Sequence, residues 1–238
     1  MPDVIIVGAG PAGCSAAWVC SGAGLDTLLV SASLDTVFHA EPDVLLQGDE
    51  SSFAAAVVAE LPAAARPRDL HSRAKWLLEQ RDNLHVLQAS VSEVSTDGGA
   101  VSGVGTWEGP HFSAPLVAIC AGSFLAATLT QGSLTEMAGK PSQMSYPELA
   151  HSLESLGAGL AEVTHPFENP AGPGQVTSKV LTAGQLEDGI WLRHTRGLAA
   201  AGYCADPSLR FGAAAAAGQS LGEALVAQAR SVSSTGRT

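Results

Sequence analysis

A short apolar run, Val4-Ile5-Ile6-Val7, passes directly into Gly8-Ala9-Gly10-Pro11-Ala12-Gly13. The run from Asp3 to Val7 reads as a buried strand, and the alanine-rich stretch from Pro11 to Ala23 as a helix ended by Gly22 and Gly24. Thr27 to Val30 is a second β-branched, apolar strand, so strand, helix and strand fit within about 30 residues, the span of a parallel βαβ unit. Gly8, Gly10 and Gly13 fall at its first turn in G-x-G-x-x-G spacing. Each position has its own physical reason: a tight turn, close backbone approach of a pyrophosphate, and close packing of helix on strand. Free N–H groups and the positive helix end then hold the anion. Gly22-Ala23-Gly24 and Gly157-Ala158-Gly159 follow helices instead of strands and read as helix terminators. The first turn therefore predicts a dinucleotide site.

The second strand of such a unit usually ends in an acid that takes the ribose hydroxyls. Here that place belongs to Ser31, which hydrogen-bonds more weakly than a carboxylate. No Arg or Lys lies between Ser31 and Glu50, which disfavours a 2′-phosphate and hence NADP. Asp35 reads either as a ribose ligand or as a turn residue. Two further strands end in small residues, at Ala121-Gly122 and at Ala201-Gly202 before an Ala-rich helix. An elongated cofactor crossing several strand ends needs such clefts, which favours FAD over a simple NAD site.

Between these points the pattern predicts a long loop over Ala32–Glu50 and helices over Ser51–Leu61 and Leu70–Gln80. Strands Leu84–Gln88, Val91–Ser95 and Val101–Trp107 follow, with turns at Gly98-Gly99 and Glu108-Gly109-Pro110 before His111 and Phe112, a small antiparallel meander. Leu116–Cys120 is another buried strand, and a loop containing Gly132 and Gly139 leads to a helix near Pro147–Leu156. Pro166–Gly174 reads as an irregular connection, Ile190–Arg193 and Leu198–Ala201 as short strands, and Gly212 to about Gln228 as a helix. The fold class is thus α/β: a Rossmann-like FAD/NAD(P)-binding fold with a parallel central sheet, flanking helices and a β-meander. Residues 1–230 are expected to form one cofactor-binding domain, and 231–238 a flexible tail.

Of 238 residues, 46% are hydrophobic and 15% charged, enough for a sizeable core. With 12 basic and 23 acidic residues the formal charge is −11, which argues against direct nucleic-acid binding. Cys14, Cys20, Cys120 and Cys204 form no CxxC pair and no metal-ligand spacing with His, as expected of reduced thiols. The apolar run Val4–Val7 is too short for export or membrane spanning, so a cytoplasmic protein is expected.

DVIIVGAGPAGCSAA (Asp3–Ala17), TLLVSASLDTV (Thr27–Val37), NLHVLQASV (Asn83–Val91), VSGVGTWEGPHFSAPLVAICAGSFL (Val101–Leu125) and GLAAAGYCADPSLRFGAAAAAGQSLGEAL (Gly197–Leu225) together resemble the glucose-inhibited division protein A family, GidA or MnmG. These are FAD-dependent tRNA wobble-uridine modification proteins, which also carry Thr or Ser at the Ser31 position. The resemblance implies that Gly8, Ala9, Gly10, Pro11, Ala12 and Gly13 hold the pyrophosphate of FAD, and Ser31, Ala32 and Leu34 its adenosine side. It implies that the Val91 backbone contacts adenine and that Ala121, Gly122 and Ser123 lie along the cofactor. Gly202, Tyr203 and Cys204, with Gly212 and Ala213, would approach the flavin end. Full-length members carry an inserted NADH-handling domain and a helical C-terminal part, for which these 238 residues have no room. The family's Cys-Asn-Pro stretch is replaced by HAEPDVLLQGDE (His39–Glu50), so wobble-uridine chemistry is not expected to carry over.

Cys204 is the candidate for thiol chemistry near the flavin, against the alternative of a buried structural cysteine. Cys14 sits in the first turn of a helix, where a thiol pKa can fall, but its side chain is expected to pack on the sheet. His39, His165 and His194 lie in or near loops without a partner at visible spacing. Arg210 either offsets flavin or phosphate charge or serves the surface. The leading expectation is an FAD-dependent oxidoreductase of unknown substrate, served by a nicotinamide reductant or a partner protein. The alternatives are a non-catalytic FAD-binding module and a subunit of a larger, tRNA-modifying assembly.

Overall fold

The computed structural model describes residues 1–39, 52–59, 61–62, 65–170 and 172–235. The chain opens as β1 (Val4–Val7), α1 (Pro11–Gly22) and β2 (Thr27–Ser31). α2 (Phe53–Val58) and α3 (Pro67–Glu79) lead to β3 (Leu84–Gln88). β4 (Val91–Asp97), β5 (Ala100–Thr106) and β6 (His111–Ser113) pair antiparallel in the expected meander, and β7 (Leu116–Ile119) follows. Then come β8 (Thr128–Gln131), β9 (Leu134–Glu136), β10 (Ala138–Lys140), β11 (Gln143–Met144) and α4 (Pro147–Ser155). β12 (Leu160–Asn169), β13 (Gly172–Leu181), β14 (Leu186–Glu187), β15 (Trp191–Leu192), β16 (Leu198–Ala200) and α5 (Phe211–Thr235) complete it.

The main sheet has the order β14-β15-β16-β7-β1-β2-β3, and its strands from β16 to β3 are parallel. Side chains alternate across each strand, so the sheet feeds two cores. Val4 and Ile6 join Leu29, Ala118 and Ala199 on the side that packs against α1, α2, α3 and α5. Ile5 and Val7 join Leu28, Val30, Val117, Ile119 and Ala200 on the other side, under the meander and α4. Burial on both faces is why these strands read as continuous apolar runs instead of alternating ones. The molecule has the Rossmann-like α/β fold predicted from its sequence.

Three expectations need correction. The loop around Gly132 and Gly139 contains β8 to β11. Pro166–Gly174 is not irregular: it spans the tip of a hairpin between two ten-residue strands, β12 and β13, in the antiparallel sheet β12-β13-β8-β9. Pro166 is tolerated because β12 is an edge strand, where a missing N–H breaks no inner ladder. Finally, α5 continues past Ser231 to Thr235, so the segment expected as a tail begins as helix. The Ala32–Glu50 loop is described only to His39, with a short 3-10 turn at Leu34–Thr36, and its remainder lies outside the described residues. Among the described residues no helix is long and apolar enough to cross a membrane.

Candidate functional site

The parallel register brings the predicted clefts together. Val7 lies opposite Val30 on β2 and Ile119 on β7, and Ile119 lies opposite Ala200 on β16. Ser31 at the end of β2 and the residues just beyond the other strands (Gly8 to Gly10, Ala121-Gly122 and Ala201-Gly202) therefore share one carboxyl edge. Open parallel sheets bind ligands in the crevice at that edge.

The first turn is packed from behind and open in front. Gly8 has φ +105°, and a Cβ there would run into the Cys120 carbonyl. A Cβ on Gly13 would run into the Gly8 carbonyl, so helix and strand close on each other only with glycine at both places. The Ala9 carbonyl accepts from the Phe38 N–H at 2.8 Å and the Cys14 thiol at 3.1 Å, which pins the loop. Gly10 behaves differently. It caps α1 without a side-chain hydrogen bond, and a Cβ there would meet no atom within 4 Å. Pro11 occupies the first helical turn, where its missing N–H costs nothing. A helix N-terminus with unspent donors and an open glycine is a cradle of the right kind for a pyrophosphate.

A second helix end opens on the same edge. α5 lies parallel to α1, because Gly218 packs on the Ala12 carbonyl and Gly222 comes against Val19 one turn later. Phe38 stands edge-on to both Phe53 and Phe211, ring centroids 5.0 Å apart in each case, which fixes the start of α5. Gly212 and Ala213 thus sit in the first turn of a helix aimed at the cleft. Gly202, with φ +79°, turns the chain out of β16, and a Cβ there would lie 2.9 Å from the Ala12 Cβ.

At the β2 end, the Ser31 hydroxyl donates to the Ser33 carbonyl at 2.9 Å, leaving its lone pairs available. Val91 begins β4 beside Ser90, whose N–H is taken by the Glu108 carboxylate at 3.0 Å. A cleft of about 240 Å³ lies here, lined by Ser90, Val91, Trp107, Met144 and Tyr146 among others. Burial raises the Tyr146 pKa, an effect opposed by the Ala32 backbone beside its hydroxyl. Tyr146 therefore links the Ala32 and Val91 ends, a role for which the local sequence carries no signal. Its ring also lies 5.9 Å from Phe124, next to Ser123, whose hydroxyl donates to the Gly139 carbonyl at 3.1 Å.

For the thiols the structure favours the structural reading over thiol chemistry at Cys204. Cys204 is fully buried, with the Ile119 and Ala201 carbonyls 3.5 Å from its sulfur, and burial pushes its pKa up to about 11. It packs as core. Burial likewise raises Cys14, Cys120 and Cys20, the last to about 12. The nucleophile is the thiolate, so native protein at pH 8 is expected to leave all four cysteines unmodified by a chromogenic disulfide reagent. In denaturant the same assay should count four; rapid native labelling of Cys204 would show that it is reachable after all.

Of the histidines, His194 borders Gly157. His165, on β12, receives or donates a hydrogen bond at 2.8 Å with the Tyr203 hydroxyl. Sequence spacing hid this pair because the strand carrying His165 contains Pro166 and reads as irregular.

The sequence pattern of the glucose inhibited division protein A family matches residues 3–48 and 50–165, more than half of the chain. The chain belongs to that family. It is 27% identical over 187 residues to a tRNA uridine 5-carboxymethylaminomethyl modification enzyme MnmG of Finegoldia magna, covering 66% of this chain and 30% of that one. A Desulfitobacterium hafniense MnmG is 30% identical over 187 residues, again 66% of this chain and 29% of the relative. The chain thus spans about 30% of the length of these GidA-family relatives. The crystal structure of the GidA-related protein from Thermus thermophilus superposes with TM-score 0.85 at 31% identity, covering 95% of this chain and 98% of that one. A thioredoxin reductase from Gloeobacter violaceus shares the fold at TM-score 0.58 and 16% identity, over 97% of this chain and 94% of that one.

Proposed function

We propose that this GidA-family chain is a flavoprotein that lays FAD along the carboxyl edge of its parallel sheet and acts as an oxidoreductase. One observation supports this most: the ends of β1, β7 and β16 are level, and the N-termini of α1 and α5 open beside them. The pyrophosphate would rest on Gly8 to Gly13, with the N–H groups near Gly10 and the α1 dipole facing its charge. The adenosine would lie along Ser31, Ala32 and Leu34, with adenine against the Val91 backbone. The flavin end would pass Ala121, Gly122 and Ser123 and reach Gly202, Tyr203, Gly212 and Ala213. When bound, the flavin supplies hydride or electron transfer; this chain's residues bind and orient it.

Purified protein is expected to be yellow, or to turn yellow with added FAD, and to release FAD on denaturation. Protein that stays colourless after incubation with excess FAD would end this reading. A second reading, a binding module or subunit without turnover of its own, draws on the relatives, in which the matching region is about 30% of a longer tRNA-modifying enzyme. Anaerobic mixing of the FAD-loaded chain with NADH or NADPH separates the two. Bleaching of the flavin within seconds supports the oxidoreductase; an unchanged spectrum supports the module.

A further inference from the structure

The cleft of about 240 Å³ beside Val91 is built from three distant parts of the chain. Trp107, just past β5, is tied by its N–H to the Ser90 carbonyl at 2.8 Å. Met137 and Met144 flank the paired strands β10 and β11, and the Ser145 N–H donates to the Met137 carbonyl at 3.2 Å. Tyr146, at the start of α4, donates its N–H to the Phe124 carbonyl at 2.7 Å. The backbone of all three parts is thus fixed, and the cleft is preformed. Of the residues assigned to FAD only Val91 lines it. Two of its features have no use within the chain. Trp107, Met137 and Met144 are 69%, 62% and 60% exposed, three large apolar side chains around one opening. Apolar side chains left exposed together mark a binding surface. Ser145 lines the same cleft while only 5% exposed, and its buried hydroxyl has no hydrogen-bond partner. An unpaired buried hydroxyl costs free energy that a partner from outside the chain would recover.

We infer that this cleft is a second ligand site, for one uncharged, planar nitrogen heterocycle such as a purine or pyrimidine base. The ring lies on the Trp107 indole with the methionine sulfurs against it, contacts that aromatic rings favour. A ring N–H, ring nitrogen or carbonyl meets the Ser145 hydroxyl, which can donate or accept. A plain hydrocarbon ring would leave that hydroxyl unpaired. A phosphate or carboxylate does not fit: among the described residues that line the cleft none is a cation, and Glu148 adds a carboxylate. At about 240 Å³ the cleft takes one ring system and not a second dinucleotide. The site goes beyond the FAD reading and does not depend on it.

The test is saturation-transfer NMR with adenosine and uridine, each set against its 5′-monophosphate, on the protein with and without FAD. At least one nucleoside is expected to bind with a dissociation constant on the order of 0.1 to 1 mM. It should bind more tightly than its monophosphate, and equally well in both forms of the protein. Trp107→Ala, at an exposed side chain, should weaken binding about 10-fold or more through lost stacking. Ser145→Ala should weaken it about 10-fold while the FAD-free protein melts no lower than the parent, because an unpaired hydroxyl has been removed. No transfer to either nucleoside at about ten times that concentration, tighter binding of the monophosphates, or variants that bind like the parent overturn the site. Binding lost once FAD is loaded overturns it too, and gives the cleft to the cofactor's own adenine. A dimer in sedimentation that Trp107→Ala dissociates, with no nucleoside bound, overturns it in favour of a contact between copies. Protein that binds a nucleoside but stays colourless with FAD sinks the flavin reading alone.

Discussion

Gly10→Asp is expected to leave the fold intact and abolish FAD binding. A side chain at this position meets no atom within 4 Å, and the residue already has an extended N-cap conformation, φ −74° and ψ −173°. Aspartate is a good N-cap, so its carboxylate would take the free N–H groups of α1 and change stability by only a few tenths of a kcal/mol relative to glycine. Those donors would then be spent, and a fixed negative charge would face the incoming pyrophosphate. FAD affinity should fall by at least about 100-fold, roughly 2.7 kcal/mol. Thermal melting of the FAD-free protein and FAD titration by flavin fluorescence read the two effects separately. A variant that binds FAD like its parent would show that the pyrophosphate does not lie at this helix end.

Gly13→Ala should do the reverse, damaging the fold before any ligand is considered. Its new methyl would collide with the Gly8 carbonyl, and Gly8 is itself closed in by the Cys120 carbonyl. The atoms it would strike hardest, the Gly8 carbonyl oxygen and carbon, are backbone, so no flexible side chain can swing away. Overpacking of this kind costs about 3 kcal/mol or more, and melting of the FAD-free variant should drop by about 10 °C. A melting temperature within a degree or two of the parent would mean that α1 does not press on the first turn as described. The two neighbouring glycines thus separate binding from packing within one motif.

The parallel half of the fold was legible because its signals are local. Each of β1, β2 and β7 is a short apolar run, and small residues follow the strand ends where helix and backbone come close. The antiparallel sheet was not legible, and for a physical reason. One face of β12 and β13 is exposed, the apolar cluster beneath is small (Ala127, Leu129, Ala138 and Val176), and Pro166 sits where only an edge strand accepts it. The site divides along the same line. Gly8, Gly13, Gly122 and Gly202 stand where positive φ or close backbone packing demands glycine, and Gly10 is marked by its spacing between the first two. Tyr146 lines the cleft beside Val91 and His165 meets Tyr203 from elements placed by long-range pairing, and nothing near them in sequence says what they will meet. Cys204 was readable both ways from its position after Gly202, and its side chain turns into the core, as the structural reading expects.

The parallel stacking of α5 on α1 has a consequence for synthesis. The turn at Gly8 leaves the ribosome long before the rest of its cradle, which is complete only when β16 and α5, residues 198–235, have come back to lie against it. A nascent chain stalled before Leu198 holds one wall of the cleft and neither Gly202 nor the second helix end. On the FAD reading, loading of the cofactor would wait for translation to pass α5, and the bound cofactor would then tie early and late parts of the chain together.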